Sequence, residues 1–294
     1  MSLLRHHIDR TTQYWSDDFV APVPSYLEKN NSAENLIICY GDSWTWGDHL
    51  GNANASKSIS DAEYRAQHIY ANKLSEKLQA DFVNCALPGI FNYWIHDRLK
   101  ILVDNDIQPL STQYKHIWII VTLTEICREF KFQAYLEEFT KFYNIHLGSH
   151  RDILVQAEKF DFLKLLDISQ QLPSNVKLIV GRNFTDTFEE NKNILPNLMP
   201  VPWSKILFEK QGMTDVPKIP MMSFAVKNFD SYIKEQKLDS AEYKQWMNGE
   251  VLPESLKVLD LLDKSVYNNK IGSRHPTEQG HVLWADYIHN YIYE

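Results

Sequence analysis

Leu36-Ile37-Ile38-Cys39-Tyr40-Gly41-Asp42-Ser43-Trp44-Thr45-Trp46-Gly47 is the stretch whose reading decides the fold. A short apolar run, with charge before it and small polar residues after it, reads as a buried strand. The run stops at Gly41-Asp42-Ser43, and Thr45 to Gly47 can open the next helix. A serine at such a turn is offered beyond the carboxyl edge of the sheet, where open α/β folds hold their ligands. The same tripeptide also serves as an ordinary N-cap or turn, so its surroundings have to decide.

Working outward, the pattern predicts strands over Leu36 to Tyr40, Asp81 to Cys85, His116 to Leu123 and Val176 to Val180, the last closing on Gly181-Arg182-Asn183. His116 to Leu123 is almost unbrokenly apolar, as in a strand buried on both faces. Helical spacing of Ala66, Ile69, Tyr70, Leu74 and Leu78 predicts one amphipathic helix from Glu63 to Gln79. Further helices are expected over Tyr93 to Leu102, Ile126 to Tyr143, Arg151 to Leu172 and Gln279 to Tyr291. Strands alternating with helices point to a doubly wound, mostly parallel α/β sheet. Residues 1–34 are aromatic and proline-containing and are expected to pack on a core domain of residues 35–294. Between 188 and 262 the pattern loosens around Pro196, Pro200, Pro202, Pro217, Pro220 and Pro253. That stretch reads as an insertion over one end of the sheet, either a lid or partner surface or a static excursion.

Composition narrows the partners. A chain of 294 residues can bury a substantial core, and a net charge of -8 argues against broad binding to nucleic acid. No apolar run reaches membrane-spanning length, and the first residues lack the apolar core of a secretory signal. Three cysteines, Cys39, Cys85 and Cys127, sit in apolar contexts, which suggests buried reduced thiols and a cytoplasmic protein. No histidine has cysteine or carboxylate partners at zinc spacing, so no metal is expected.

The strand ends carry the chemistry. The first offers Ser43, the second Gly89, the third Thr124-Glu125 with Arg128 a turn further on, and the fourth Asn183. Far downstream come His275-Pro276 and Gly280-His281. In a parallel sheet all these strand ends lie on one edge. A nucleophilic serine needs an imidazole to take its proton and donors aimed at the oxyanion that forms.

This order of motifs resembles the SGNH/GDSL hydrolases, a family of esterases, lipases and carbohydrate deacetylases. Gly41-Asp42-Ser43-Trp44-Thr45 is similar to the family's first block, Asn84-Cys85-Ala86-Leu87-Pro88-Gly89 to its second, and His275-Pro276 with Gly280-His281 to its fifth. The resemblance implies a three-layer α/β/α fold with a flavodoxin-like, five-stranded, mostly parallel sheet. It further implies Ser43 as nucleophile, His275 as general base, and the N–H groups of Ser43 and Gly89 as oxyanion donors. It implies no cofactor. The expected activity is that of an esterase removing a small acyl group, such as acetyl, from a carbohydrate or related metabolite.

Two departures qualify that expectation. The third block's asparagine, a side-chain oxyanion donor, is absent from Thr122-Leu123-Thr124-Glu125-Ile126-Cys127-Arg128, which leaves Thr124, Arg128 or Asn183 as substitutes. Loss of one such donor costs about 3 kcal/mol of transition-state stabilisation. The family's aspartate three residues before the histidine is replaced by Gly272, so Glu125 and Asp263 are the carboxylates to consider as orienters of His275. Asp42, Trp44, Glu125 and Arg128 are the expected substrate contacts, although Asp42 equally suits the turn and Glu125 with Arg128 an ion pair. The alternatives are an acyltransferase using the same serine and histidine, or a binding module built on this fold.

Overall fold

A computed structural model describes residues 33–48, 50, 59–124, 126, 138–139, 150–183, 190–212, 261–268 and 275–294. Four parallel strands form its centre: β1 (Asn35–Gly41), β2 (Ala80–Asn84), β3 (His116–Leu123) and β4 (Val176–Arg182), in the order β2-β1-β3-β4. The register runs Asn35 to Ala80 on one side of β1 and Asn35 to His116 on the other, so the strands end together. The chain runs outward in opposite directions from the β1–β3 pair, which makes the carboxyl ends of these two strands the switch point where a ligand crevice opens. In place of a fifth strand, the described residues add one parallel bridge beside β4. Val180 donates to the Asn197 carbonyl at 3.0 Å and accepts from the Met199 N–H at 2.8 Å.

Side chains alternate across a strand, and here both sets are buried. Ile37 and Cys39 join one core, while Leu36, Ile38 and Tyr40 join the other. Two apolar faces need two helical layers, so the result is α/β/α. On the Ile37 face lie α1 (Ser43–Trp46), α3 (Tyr70–Leu78), α7 (Trp203–Glu209) and α8 (Glu278–Tyr293). On the Leu36 face lie α4 (Asn92–Asn105), α5 (Ile107–Gln113) and, through Phe162, Leu165 and Ile168, the second half of α6 (His150–Gln170). A short α2 (Ile59–His68) precedes α3, and a two-residue antiparallel ladder joins β5 (Tyr267–Asn268) to β6 (His275–Pro276).

Several expectations need correction. The single helix expected from Glu63 to Gln79 is two, because Ile69 is extended (φ -70°, ψ 155°) between α2 and α3. Isoleucine has no polar side chain to cap α3, and the Nδ1 of His281 on α8 accepts the Tyr70 N–H at 3.1 Å instead. The expected loose stretch contains α7, whose Trp203, Leu207 and Phe208 are wholly buried, so its early part belongs to the core. Trp203 stacks on Trp284 at 5.4 Å and meets Trp44 and Tyr70 edge-on at 5.5 and 5.4 Å. Residues 213–260, most of 1–34 and most of the helix expected over Ile126 to Tyr143 lie outside the described residues. Cys39 and Cys85 are buried, with Cys85 pushed up to about 12 by burial, and Cys127 is not described. No helix among the described residues is long and apolar enough to cross a membrane.

Candidate active site

The deciding stretch folds into a single helical turn with both ends capped. Asp42, at the N-cap of α1, accepts the Trp44 N–H at 2.9 Å on its carboxylate. Gly47 closes the turn in the left-handed region (φ 78°), where glycine carries no Cβ penalty. The Gly47 N–H reaches the Trp44 carbonyl at 3.2 Å and the Asp48 N–H reaches the Ser43 carbonyl at 2.9 Å, the paired bonds of a Schellman motif. Ser43 and Asp48 are therefore held across one turn from each other. Below them, the Asn84 amide donates to the Thr45 carbonyl at 3.0 Å and ties the end of β2 to α1.

His275 arrives on a separate support. It opens β6, is registered against Asn268, and lies two residues before Thr277, the N-cap of α8, whose side chain accepts the Gly280 N–H. Thr277 also ties back to Ser265 through its hydroxyl and to Val266 through its N–H. Strand β6 packs against α1, which brings His275 to the same end of the sheet as Ser43. The His275 Nε2 lies 4.0 Å from the Asp48 carboxylate, with the two side chains 16% and 18% exposed. Ser43 itself is 9% exposed. A cleft of about 530 Å³ opens beside His275, with Leu50, Lys264, Asn268, Thr277 and Gln279 among its walls.

The other expected site residues divide sharply. Gly89 (φ 73°) is exposed in the turn after β2, where the Ile90 N–H returns to the Leu87 carbonyl and a left-handed third position suits glycine. Asn183 is fully buried and its amide donates to Asp42 at 2.9 Å, so it braces the base of α1 rather than facing a substrate. Asp42 is equally buried, and Trp44, 4% exposed, packs on Trp203 and Tyr267, so both side chains serve the interior. The Thr124 N–H is taken by the Asn92 side chain at 3.0 Å, and Thr124 is itself buried. Asp263 is exposed and accepts the Ser265 N–H at 2.7 Å; these bonds hold its carboxyl below the usual range and place it in its own turn rather than against His275. Glu125 and Arg128 lie outside the described residues.

Asp48 was not among the expected residues. Its signal is Gly47: a glycine five residues after Asp42 ends the turn and folds the next residue's backbone back onto the Ser43 carbonyl. His281, on α8, is fully buried. Burial, and secondarily the charge of His275, lowers it to about 3, so it stays neutral with Nδ1 free to accept from Tyr70. Among the described residues no cluster of three or more His, Cys, Asp or Glu side chains is placed to hold a metal.

These features define a parallel α/β protein with a serine turn and a histidine loop at one edge of its sheet. No protein-family model and no curated protein matches the chain. Solved structures that it resembles are lipolytic proteins of the G-D-S-L family, lipases and acetylesterases. A member of the lipolytic protein G-D-S-L family from Veillonella parvula is 13% identical over 86% of this chain and 95% of that one, at a TM-score of 0.33. Phospholipase A1 from Streptomyces albidoflavus is 11% identical over 88% and 99%, at 0.36. A carbohydrate acetylesterase from Sinorhizobium meliloti is 11% identical over 88% and 98%, at 0.37. Superpositions this loose carry no weight for activity; what Ser43 and His275 can do follows from their own surroundings.

Proposed function

We propose that this chain is a serine esterase that cleaves an ester by acyl transfer through Ser43. The observation that carries the reading is the packing of α1, which begins with Ser43, against β6, which begins with His275. His275 takes the Ser43 Oγ proton as the oxygen attacks the carbonyl carbon, and returns it to the leaving alcohol as the tetrahedral intermediate collapses. Water then repeats the sequence on the acyl-enzyme, with His275 again as base. The N–H groups of Ser43 and Gly89 receive the oxyanion. Asn183 is committed to Asp42, so the donors this reading draws from the described residues are backbone groups, and modest turnover is the expectation.

The cleft beside His275 carries polar groups from Lys264, Ser265, Asn268 and Gln279 alongside the apolar Leu50, Pro276 and Val282. Those polar groups favour a hydroxyl-rich alcohol over a long acyl chain, which supports a small acyl group on a carbohydrate or related metabolite. The test is turnover of short-chain aryl esters and acetylated sugars, together with labelling by a fluorophosphonate. The expected result is a label on Ser43 that disappears in Ser43→Ala and drops steeply in His275→Ala. Purified protein that neither turns over these esters nor takes the label at Ser43 refutes the reading.

A further inference from the structure

We propose that Asp48 is the positioning residue for His275, filling the role that Gly272 leaves vacant in the sequence pattern; the inference rests on the Ser43–His275 reading above. An imidazole that shuttles a proton needs a partner that fixes which nitrogen faces the nucleophile and that stabilises the imidazolium. Among the described carboxylates, Asp48 is the one at ion-pair distance from His275, 4.0 Å from Nε2. The alternatives are turned elsewhere: Asp263 toward Ser265, Asp42 beneath α1 toward Trp44 and Asn183, and Glu278 toward His68 at 3.8 Å.

The Schellman turn supplies the rigidity. Because the Asp48 N–H is bonded to the Ser43 carbonyl, the nucleophile and the carboxylate move as one unit. The imidazole enters from β6, a support independent of that turn. The pair is largely shielded from solvent, so its attraction is less screened than that of a surface ion pair. At 4.0 Å it is a charge contact rather than a hydrogen bond, and unliganded sites are commonly slack in this way before substrate draws them together. Other groups near His275 are the neutral His281 on α8, and Lys264 and Glu278 in the cleft wall. His281, being uncharged, does not oppose the imidazolium. When the Ser43 Oγ proton passes to His275, the imidazolium that forms faces the Asp48 carboxylate, which stabilises its charge and holds the ring.

The test compares Asp48→Asn and Asp48→Glu with wild type, Ser43→Ala and His275→Ala, using an aryl acetate. Circular dichroism checks that each variant folds. We expect Asp48→Asn to lower kcat/KM about 100-fold or more, with Asp48→Glu recovering part of it. The acid limb of the kcat/KM profile, set by the proton on His275, moves down by about one pH unit in Asp48→Asn. NMR titration of the His275 ring supplies the same shift without reference to activity. If Ser43→Ala is inactive while folded Asp48→Asn keeps wild-type kcat/KM and acid limb, the Asp48 proposal is overturned and the serine reading stands. If turnover is indifferent to Ser43→Ala, both fall together.

Discussion

Stability should collapse as pH falls from 6.5 toward 5, because two histidines are buried in forms that cannot hold a charge. His96 on α4 is 5% exposed, and burial, with Lys164 nearby, pushes it down to about 3. His281 is wholly buried and lowered to about 3 in the same way, with His275 as the secondary cause. A lowered histidine binds fewer protons folded than unfolded, so its contribution is intact above the unfolded value of about 6.5 and is lost as pH falls from there toward 3. At pH 5 the gap below 6.5 is 1.5 units, or about 2 kcal/mol per histidine at 1.36 kcal/mol per unit. The pair therefore removes about 4 kcal/mol, a large share of the 5–15 kcal/mol typical of a folded domain. Urea unfolding between pH 7.5 and 5 measures this in a range where most carboxylates are still ionised. His281→Asn keeps an acceptor for the Tyr70 N–H and should remove about half the slope, and His96→Leu the other half. A loss below about 1 kcal/mol across that window, or a slope unchanged in both variants, would refute the reasoning.

Further outcomes follow from the turn and the core. Gly47→Ala places a Cβ against Ile69 at φ 78°; unfolding should show a loss of at least about 1–2 kcal/mol from the left-handed strain alone, with slower fluorophosphonate labelling of Ser43. Asn183→Ala removes one of the buried donors to Asp42, and denaturation should report about 1–3 kcal/mol of destabilisation together with weaker labelling. Trp203→Ala opens a hole among Trp44, Tyr70 and Trp284, worth about 3–5 kcal/mol by thermal or urea unfolding.

The sheet was legible because its strands are unusually apolar: Leu36 to Tyr40 and Ile117 to Leu123 are buried on both faces and have few competing readings. The break at Ile69 was not, since Ala66, Ile69, Tyr70 and Leu74 keep helical spacing straight through it, and the acceptor that caps α3 lies 211 residues away in sequence. Helix α5 was missed because Pro109 sits within it, although a proline in the first turn is tolerated. Helix α7 was obscured by Pro196, Pro200 and Pro202, which stop the chain just before Trp203. At the candidate site, the turn and histidine motifs could be read from residue order alone. The partner of that histidine could not, because local spacing directs attention to positions just before His275, whereas Asp48 reaches it only after the chain has closed on itself.

The Trp203 ring is where strangers in the chain meet. It touches Trp44, Tyr70 and Trp284, and Trp44 in turn leans on Tyr267, so one knot of aromatic rings draws on residues separated by up to 240 positions. No local fragment can tie it. Assembly therefore waits on long loop closures, which slow the search and leave the β1–β3 surface greasy and unclothed in the meantime. Until segments from both ends of that span have arrived, that apolar face has nothing to cover it.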